Sequence, residues 1–211
     1  MDIYNIKYNK YKSKYLSLKK ELIYYQINKD LELLFNNSNI ETQLLAGADD
    51  NDIIREAQLH NIDAILIEFN YVLYNQNDKI KKIADILYDY IITNEYKKVI
   101  ITIPHYCIIS KEQDINCDMY IEFFSKIIYE YLKDKHQFEI IYLDTSIPRN
   151  PRYYRDMNRY EGREEPMRVK LRELLNDNIK TILFDIHSFP AGSFNEKEET
   201  KIVLLQRLIK N

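Results

Sequence analysis

Lys180-Thr-Ile-Leu-Phe-Asp-Ile-His-Ser-Phe-Pro190 changes character halfway along its length. Thr181 to Phe184 is an apolar, β-branched run, the pattern of a strand buried on both faces. Asp185, His187 and Ser188 then supply an acid, an imidazole and a hydroxyl before Pro190 ends the run. A strand over 181–186 would deliver these groups to a carboxyl-terminal sheet edge, where ligands of open α/β sheets sit.

Outward from this stretch the pattern alternates in large units. Apolar runs predict strands over 62–69, 98–103 and 138–143. Helical periodicity fits 78–94, 118–135 and 164–177, with a short helix capped by Asp52 running to His60 and a last helix over 196–209. Strands alternating with helices predict an α/β fold, a mostly parallel sheet with right-handed crossovers and helices on its flanks. Residues 1 to about 36 read as one long helix. Tyr4, Tyr8, Tyr11, Tyr15, Leu18, Leu22 and Tyr25 alternate spacings of four and three, a heptad-like seam, while Lys7, Lys10, Lys12, Lys14, Lys19 and Lys20 fill the other faces. Such a helix could dock on its own domain, pair with a second copy as a coiled coil, or present a basic surface. The polar stretch 36–52 reads as a linker. The expected organisation is thus a helical extension with its linker over 1–45 and an α/β domain over 52–211.

A net charge of −3 and a pI of about 5.9 give general nucleic-acid binding little electrostatic support. The two cysteines, Cys107 and Cys117, form no CxxC and read as reduced thiols of an intracellular protein, so a cytoplasmic location is expected. No apolar run reaches the length of a membrane span. The 19 tyrosines, against three glycines and no tryptophan, fit an AT-rich coding sequence rather than a chemical need.

Two histidines occupy equivalent places, each just beyond a buried run: His105 after Val99-Ile-Ile-Thr-Ile-Pro104, and His187 after Thr181-Ile-Leu-Phe-Asp-Ile186. His60 and His136 read as surface residues. Two imidazoles at parallel strand ends, joined by a carboxylate, suit a zinc site; Asp118, Asp114 and Asp185 are the candidate carboxylates, and Asp185 could instead orient an imidazole. Between the two histidines, Pro148-Arg-Asn-Pro-Arg-Tyr-Tyr-Arg-Asp-Met-Asn-Arg159 concentrates four arginines, suited to bidentate capture of a carboxylate or phosphate. A phosphate-binding enzyme is the weaker alternative, because three glycines leave no Gly-rich phosphate loop.

The order of these pieces resembles the N-formylglutamate amidohydrolase family. Pro104-His105, an aspartate opening a helix at Asp118, Arg152-Tyr-Tyr-Arg-Asp-Met-Asn-Arg159, Leu171-Arg-Glu-Leu-Leu175 and Asp185-Ile-His-Ser-Phe-Pro190 follow that family's pattern over about 99–190. The resemblance implies a zinc-dependent hydrolase akin to carboxypeptidases, cleaving an amide beside a carboxylate. His105, His187 and Asp118 would ligate the zinc. Arg152, Asn158 and Arg159 would bind the substrate carboxylate, with Asp156, Asp185 and Ser188 supporting them. Cys107 stands where the family has a glycine. The chain runs only to Asn211, so the family's late glutamate base has no expected counterpart; Glu112, Asp114 and Glu161 are the available loop carboxylates, and no base is assigned. The rival expectation is an inactive descendant, a binding or virion-associated protein. The Tyr-Lys leader also resembles N-terminal segments of giant DNA virus proteins, which would place the chain in host cytoplasm or virion.

Overall fold

The computed structural model describes residues 3–46, 52–103, 120–144, 166–175, 178–190, 192–193, 197 and 199–206. Six strands, β1 (Thr42–Ala46), β2 (Asp63–Asn70), β3 (Lys98–Ile103), β4 (Glu139–Asp144), β5 (Thr181–Phe189) and β6 (Ile202–Gln206), form one sheet in the order β1-β6-β2-β5-β3-β4. β2, β5, β3 and β4 are mutually parallel, whereas β6 runs antiparallel to β2 and carries β1 parallel to itself. The α/β class and the mostly parallel sheet follow directly from this topology.

Among the described residues five α-helices flank the sheet, the first with its last third only: α1 (Ile3–Asn37), α2 (Asp52–Leu59), α3 (Asn77–Thr93), α4 (Ile121–Lys133) and α5 (Pro166–Leu174). Alternation along each strand sorts the core into two layers. Ile65, Ile67 and Phe69 of β2, with Phe184 and Ile186 of β5, pack against α3, α4 and the last third of α1 through Ile27, Leu31 and Phe35. Ala64, Leu66, Leu183 and Phe189 face the other way, against Ile53 and Ala57 of α2 and Leu171 of α5. Each of the Leu, Ile and Phe side chains among these, fully buried, contributes roughly 1.5–3 kcal/mol of hydrophobic stabilisation.

Three helices end in the same way. Asn39, Asn61 and Glu95 take left-handed φ values of 56°, 59° and 57° just beyond α1, α2 and α3. The next N–H then closes back by five residues: Ile40 to the Phe35 carbonyl, Ile62 to Ala57, and Tyr96 to Ile91. This is the long bond of a Schellman stop, with a buried apolar residue directly after the left-handed one. Two of the three positions hold asparagine, whose short polar side chain tolerates the left-handed region well; the third holds Glu95.

Two elements depart from the sequence reading. The expected last helix over 196–209 is replaced in its middle by β6. Ile202, Val203, Leu204 and Leu205 are buried on both faces, which a helix at the sheet margin would not achieve, and both edges of β6 find partners in β1 and β2. A short apolar run carries no periodicity to separate the two choices, so strand pairing decides. The stretch read as a linker likewise contains β1. Asn36 fastens it to α1: the Thr42 N–H donates to Asn36 Oδ1 at 2.8 Å, and Asn36 Nδ2 donates to the Thr42 carbonyl at 3.1 Å. Residues from the 1–45 segment therefore contribute both a strand and core side chains to the sheet.

Two polar clusters brace the scaffold away from the carboxyl edge. Glu56 of α2 is buried and accepts from Arg172 Nε at 2.6 Å and from Arg168 Nε and Nη2 at 3.2 and 3.1 Å, which joins α2 to α5. Burial alone would push this carboxyl up, but hydrogen bonds from Arg172 and Arg168 outweigh it and hold Glu56 below the usual carboxylate range. At the amino end of the strands, Tyr96 donates its hydroxyl to Asp63 Oδ2 at 2.7 Å beside Tyr90. Burial pushes the Tyr96 phenol far above its ordinary range, and the Asp63 carboxylate adds to the effect.

Candidate functional site

β5 continues to Phe189, so His187 and Ser188 lie inside the strand with Asp185 rather than just past its end, where the expected boundary at 186 would have placed them. The reason is pairing: β2 runs alongside to Asn70, in register with Phe189, and hydrogen-bonds the strand through its polar half. Asp185 and His187 are 0% and 5% exposed.

A spacing of two along a strand puts both side chains on one face, the face that α2 and α5 cover. There the His187 ring meets its neighbour, with Nε2 3.0 Å from Asp185 Oδ2. The other carboxylate oxygen, Oδ1, accepts from Thr102 Oγ1 at 2.6 Å, across the β3–β5 pairing that sets Thr102 opposite Asp185. The chain Thr102–Asp185–His187 holds the orientation of one imidazole, as an outer carboxylate does for a metal-bound histidine.

Glu68 of β2 stands in register with His187 and is buried, which adds a second carboxylate to the same face. Asn70, two residues on, is committed to structure: its Nδ2 donates to the Thr200 carbonyl at 3.0 Å, and its Oδ1 accepts from the Val72 N–H at 3.0 Å. Sequence reading overlooked both Glu68 and Thr102. The signal for Glu68 was present, a lone acid inside the apolar run Ala64-Ile-Leu-Ile-Glu-Phe69.

The other expected residues distribute as follows. Ser188 is buried on the opposite face from Asp185 and His187, in register with Phe69. His60 and His136 lie apart: His60 follows α2 with Nε2 3.4 Å from Glu56 Oε1, and His136 takes a left-handed φ of 52° before β4. His105, Asp118, Asp114, Glu112, Arg152, Asp156, Asn158, Arg159 and Glu161, with both cysteines, fall outside the described residues. Their attachment points are nonetheless placed by the sheet. β5, β3 and β4 are adjacent and parallel, so the chain leaves β3 at Ile103 and β4 at Asp144 along the edge where β5 ends.

Among the described residues no three His, Cys, Asp or Glu side chains converge into a group able to hold a metal ion. No helix among them is long and apolar enough to cross a membrane. No family model matches this chain, and neither a curated protein nor a solved structure matches it.

Proposed function

We propose that this chain is a zinc-dependent amide hydrolase whose small substrate carries a carboxylate. The reading follows its resemblance to the N-formylglutamate amidohydrolases and their carboxypeptidase-like scaffold. The observation that carries it is the Thr102–Asp185–His187 chain at the carboxyl edge, with Nε2 and Oδ2 3.0 Å apart. Buried imidazoles backed by a carboxylate are the usual form of a zinc-binding histidine.

The donor set fits such an ion through one oriented imidazole; His105 and Asp118, which follow β3 in the chain, would complete a three-ligand site. Zinc held there would supply the Lewis acidity that amide cleavage needs. The protein's own groups do the rest. Asp185 orients the His187 ring, and Thr102 keeps Asp185 from turning away. Arg152, Asn158 and Arg159, in the segment after β4, would grip the substrate carboxylate, Arg152 or Arg159 bidentately. Asp156 would support the surrounding polar groups, whereas Ser188, on the opposite face of β5, is turned away from them.

The test is elemental analysis together with hydrolysis of N-formylglutamate. About one zinc per chain is expected, lost in His187→Ala and in His105→Ala. Asp185→Asn, which spoils orientation but leaves the ligands, should weaken zinc binding by roughly 10–100-fold. A wild-type protein that retains no zinc overturns the hydrolase. A second reading, a scaffold kept for binding without turnover, is favoured by the near-complete burial of Asp185 and His187. Stoichiometric zinc with no hydrolysis would select it.

A further inference from the structure

α1 is two objects in one helix. Its last third is anchored by Ile27, Leu31 and Phe35, all buried against the sheet. Every described side chain from 6 to 23 is exposed, including Tyr8 at 63%, Tyr11 at 70% and Tyr15 at 65%. The exposed seam does not face the domain. Leu22 precedes Leu31 by nine positions, which at roughly 100° each sets them about half a turn apart, on opposite sides of the helix. About 30 Å of helix, at 1.5 Å per residue, thus stands without tertiary support. A surface helix of this length is marginal in water without a packed face.

The lysines indicate what would cover it. With Tyr8, Tyr15 and Leu22 at position a of the heptad and Tyr11, Leu18 and Tyr25 at position d, Lys7 and Lys14 fall at g and Lys12 and Lys19 at e. All four are exposed and flank the seam. The far side is mixed: Asn9, Lys10 and Ser13 are exposed there, beside the apolar Leu16 and Ile23. A helix lying on a lipid surface has a broad apolar face and gathers its lysines opposite; a stripe edged with lysine on both sides is the seam of a coiled coil. A second copy is a poor occupant. Paired in parallel, Lys7 would meet Lys12 of that copy, and Lys14 would meet Lys19; paired antiparallel, e would face e and g would face g, lysine on lysine again.

We infer that the free part of α1 is the docking strand of a heterotypic coiled coil, and that its partner is a helix of another protein with an apolar seam edged by glutamate or aspartate. Charge complementarity at e and g then selects the partner and excludes self-pairing. The inference stands apart from the chemistry of the sheet edge.

The test uses the full chain and two labelled four-heptad peptides with identical Leu and Ile seams, one carrying Glu and the other Lys at every e and g position. Fluorescence anisotropy should show the Glu peptide binding at least about tenfold more tightly than the Lys peptide, with affinity falling as salt rises. Tyr15→Asp should abolish this binding while leaving the thermal unfolding of the domain unchanged, since Tyr15 touches no core residue. Equal affinity for the two peptides overturns the inference. So does a sedimentation dimer of the chain alone that Tyr15→Asp dissolves. Capture by phosphatidylserine vesicles without binding of the Glu peptide overturns it as well, in favour of a membrane surface.

Discussion

Glu56 and Asp185 are both carboxylates buried beneath the same sheet face, and they are neutralised by opposite means. Glu56 is held by two guanidinium groups of α5, which stay charged at every accessible pH. The groups seen to hold Asp185 are a threonine hydroxyl and an imidazole. The first arrangement joins two helices, and the His60 ring, 3.4 Å from the same carboxylate, is only an outer neighbour of it. In the second, an imidazole sits directly on the carboxylate at 3.0 Å. Two arginines around a buried acid make scaffold even with a histidine alongside, whereas an imidazole held directly by a buried acid makes a place suited to a metal or a proton.

That contrast breaks most sharply at Asp185. Asp185→Ala removes a fully buried group, opens a cavity and strips Thr102 and His187 of a shared acceptor. A loss of about 3 kcal/mol in urea unfolding is expected, within the range for dismantling one side of a buried polar pair. A loss below about 1 kcal/mol would mean that water or a neighbour replaces the carboxylate, and the Thr102–Asp185–His187 chain would not be a built feature.

Glu56 should come next. Glu56→Gln keeps the shape and removes the charge that faces Arg168 and Arg172, for an expected loss of about 2 kcal/mol near neutrality. The sign with pH follows from the depressed carboxyl. A group whose folded value lies below its ordinary 4.5 contributes stability above that pH and loses it as the pH falls through the folded value. The wild type and Glu56→Gln should therefore differ near neutrality and converge in acid, as measured by urea midpoints across that range. A gap that persists unchanged into acid would assign the effect to packing rather than charge.

Much of this was legible in the chain. β3 appears over 98–103 as its apolar run predicts, and α1, α3 and α4 fall within a few residues of their periodic segments. The Asp185–His187 pair was legible for a local reason, since two positions along a strand share a face whatever the rest of the fold does. Thr102 was not, because its contact with Asp185 depends on which strand lies beside β5 and in what register, and neither is encoded in a local pattern. β6 and β1 failed for the same cause. Five apolar residues look alike in helix and strand until a neighbour offers hydrogen bonds, and here each offers them to the other. That α1 is one long helix was legible from its periodicity, but only the buried Ile27, Leu31 and Phe35 show which of its faces, and how much of its length, the domain uses.

The smallest effect is expected at the amino end of the sheet, where Tyr96 and Asp63 form a third arrangement: a phenol beside a carboxylate. Tyr96→Phe removes a 2.7 Å hydrogen bond and little volume, so about 1 kcal/mol should be lost near neutrality. Its pH dependence runs opposite to that of Glu56. Burial, reinforced by Asp63, raises the Tyr96 phenol well above its ordinary 10.0, so the fold favours the protonated form. Stability from a raised group is complete below the unfolded value and is lost as pH climbs towards the folded one. Wild-type stability should therefore fall steeply above about pH 10, and Tyr96→Phe should fall less steeply, the two curves approaching each other in alkali. Tyr24 and Tyr90, raised first by burial as well, keep part of that slope in the variant. Parallel curves above pH 10 would show that Tyr96 ionises freely, and that the amino end of the sheet opens to water before it unfolds.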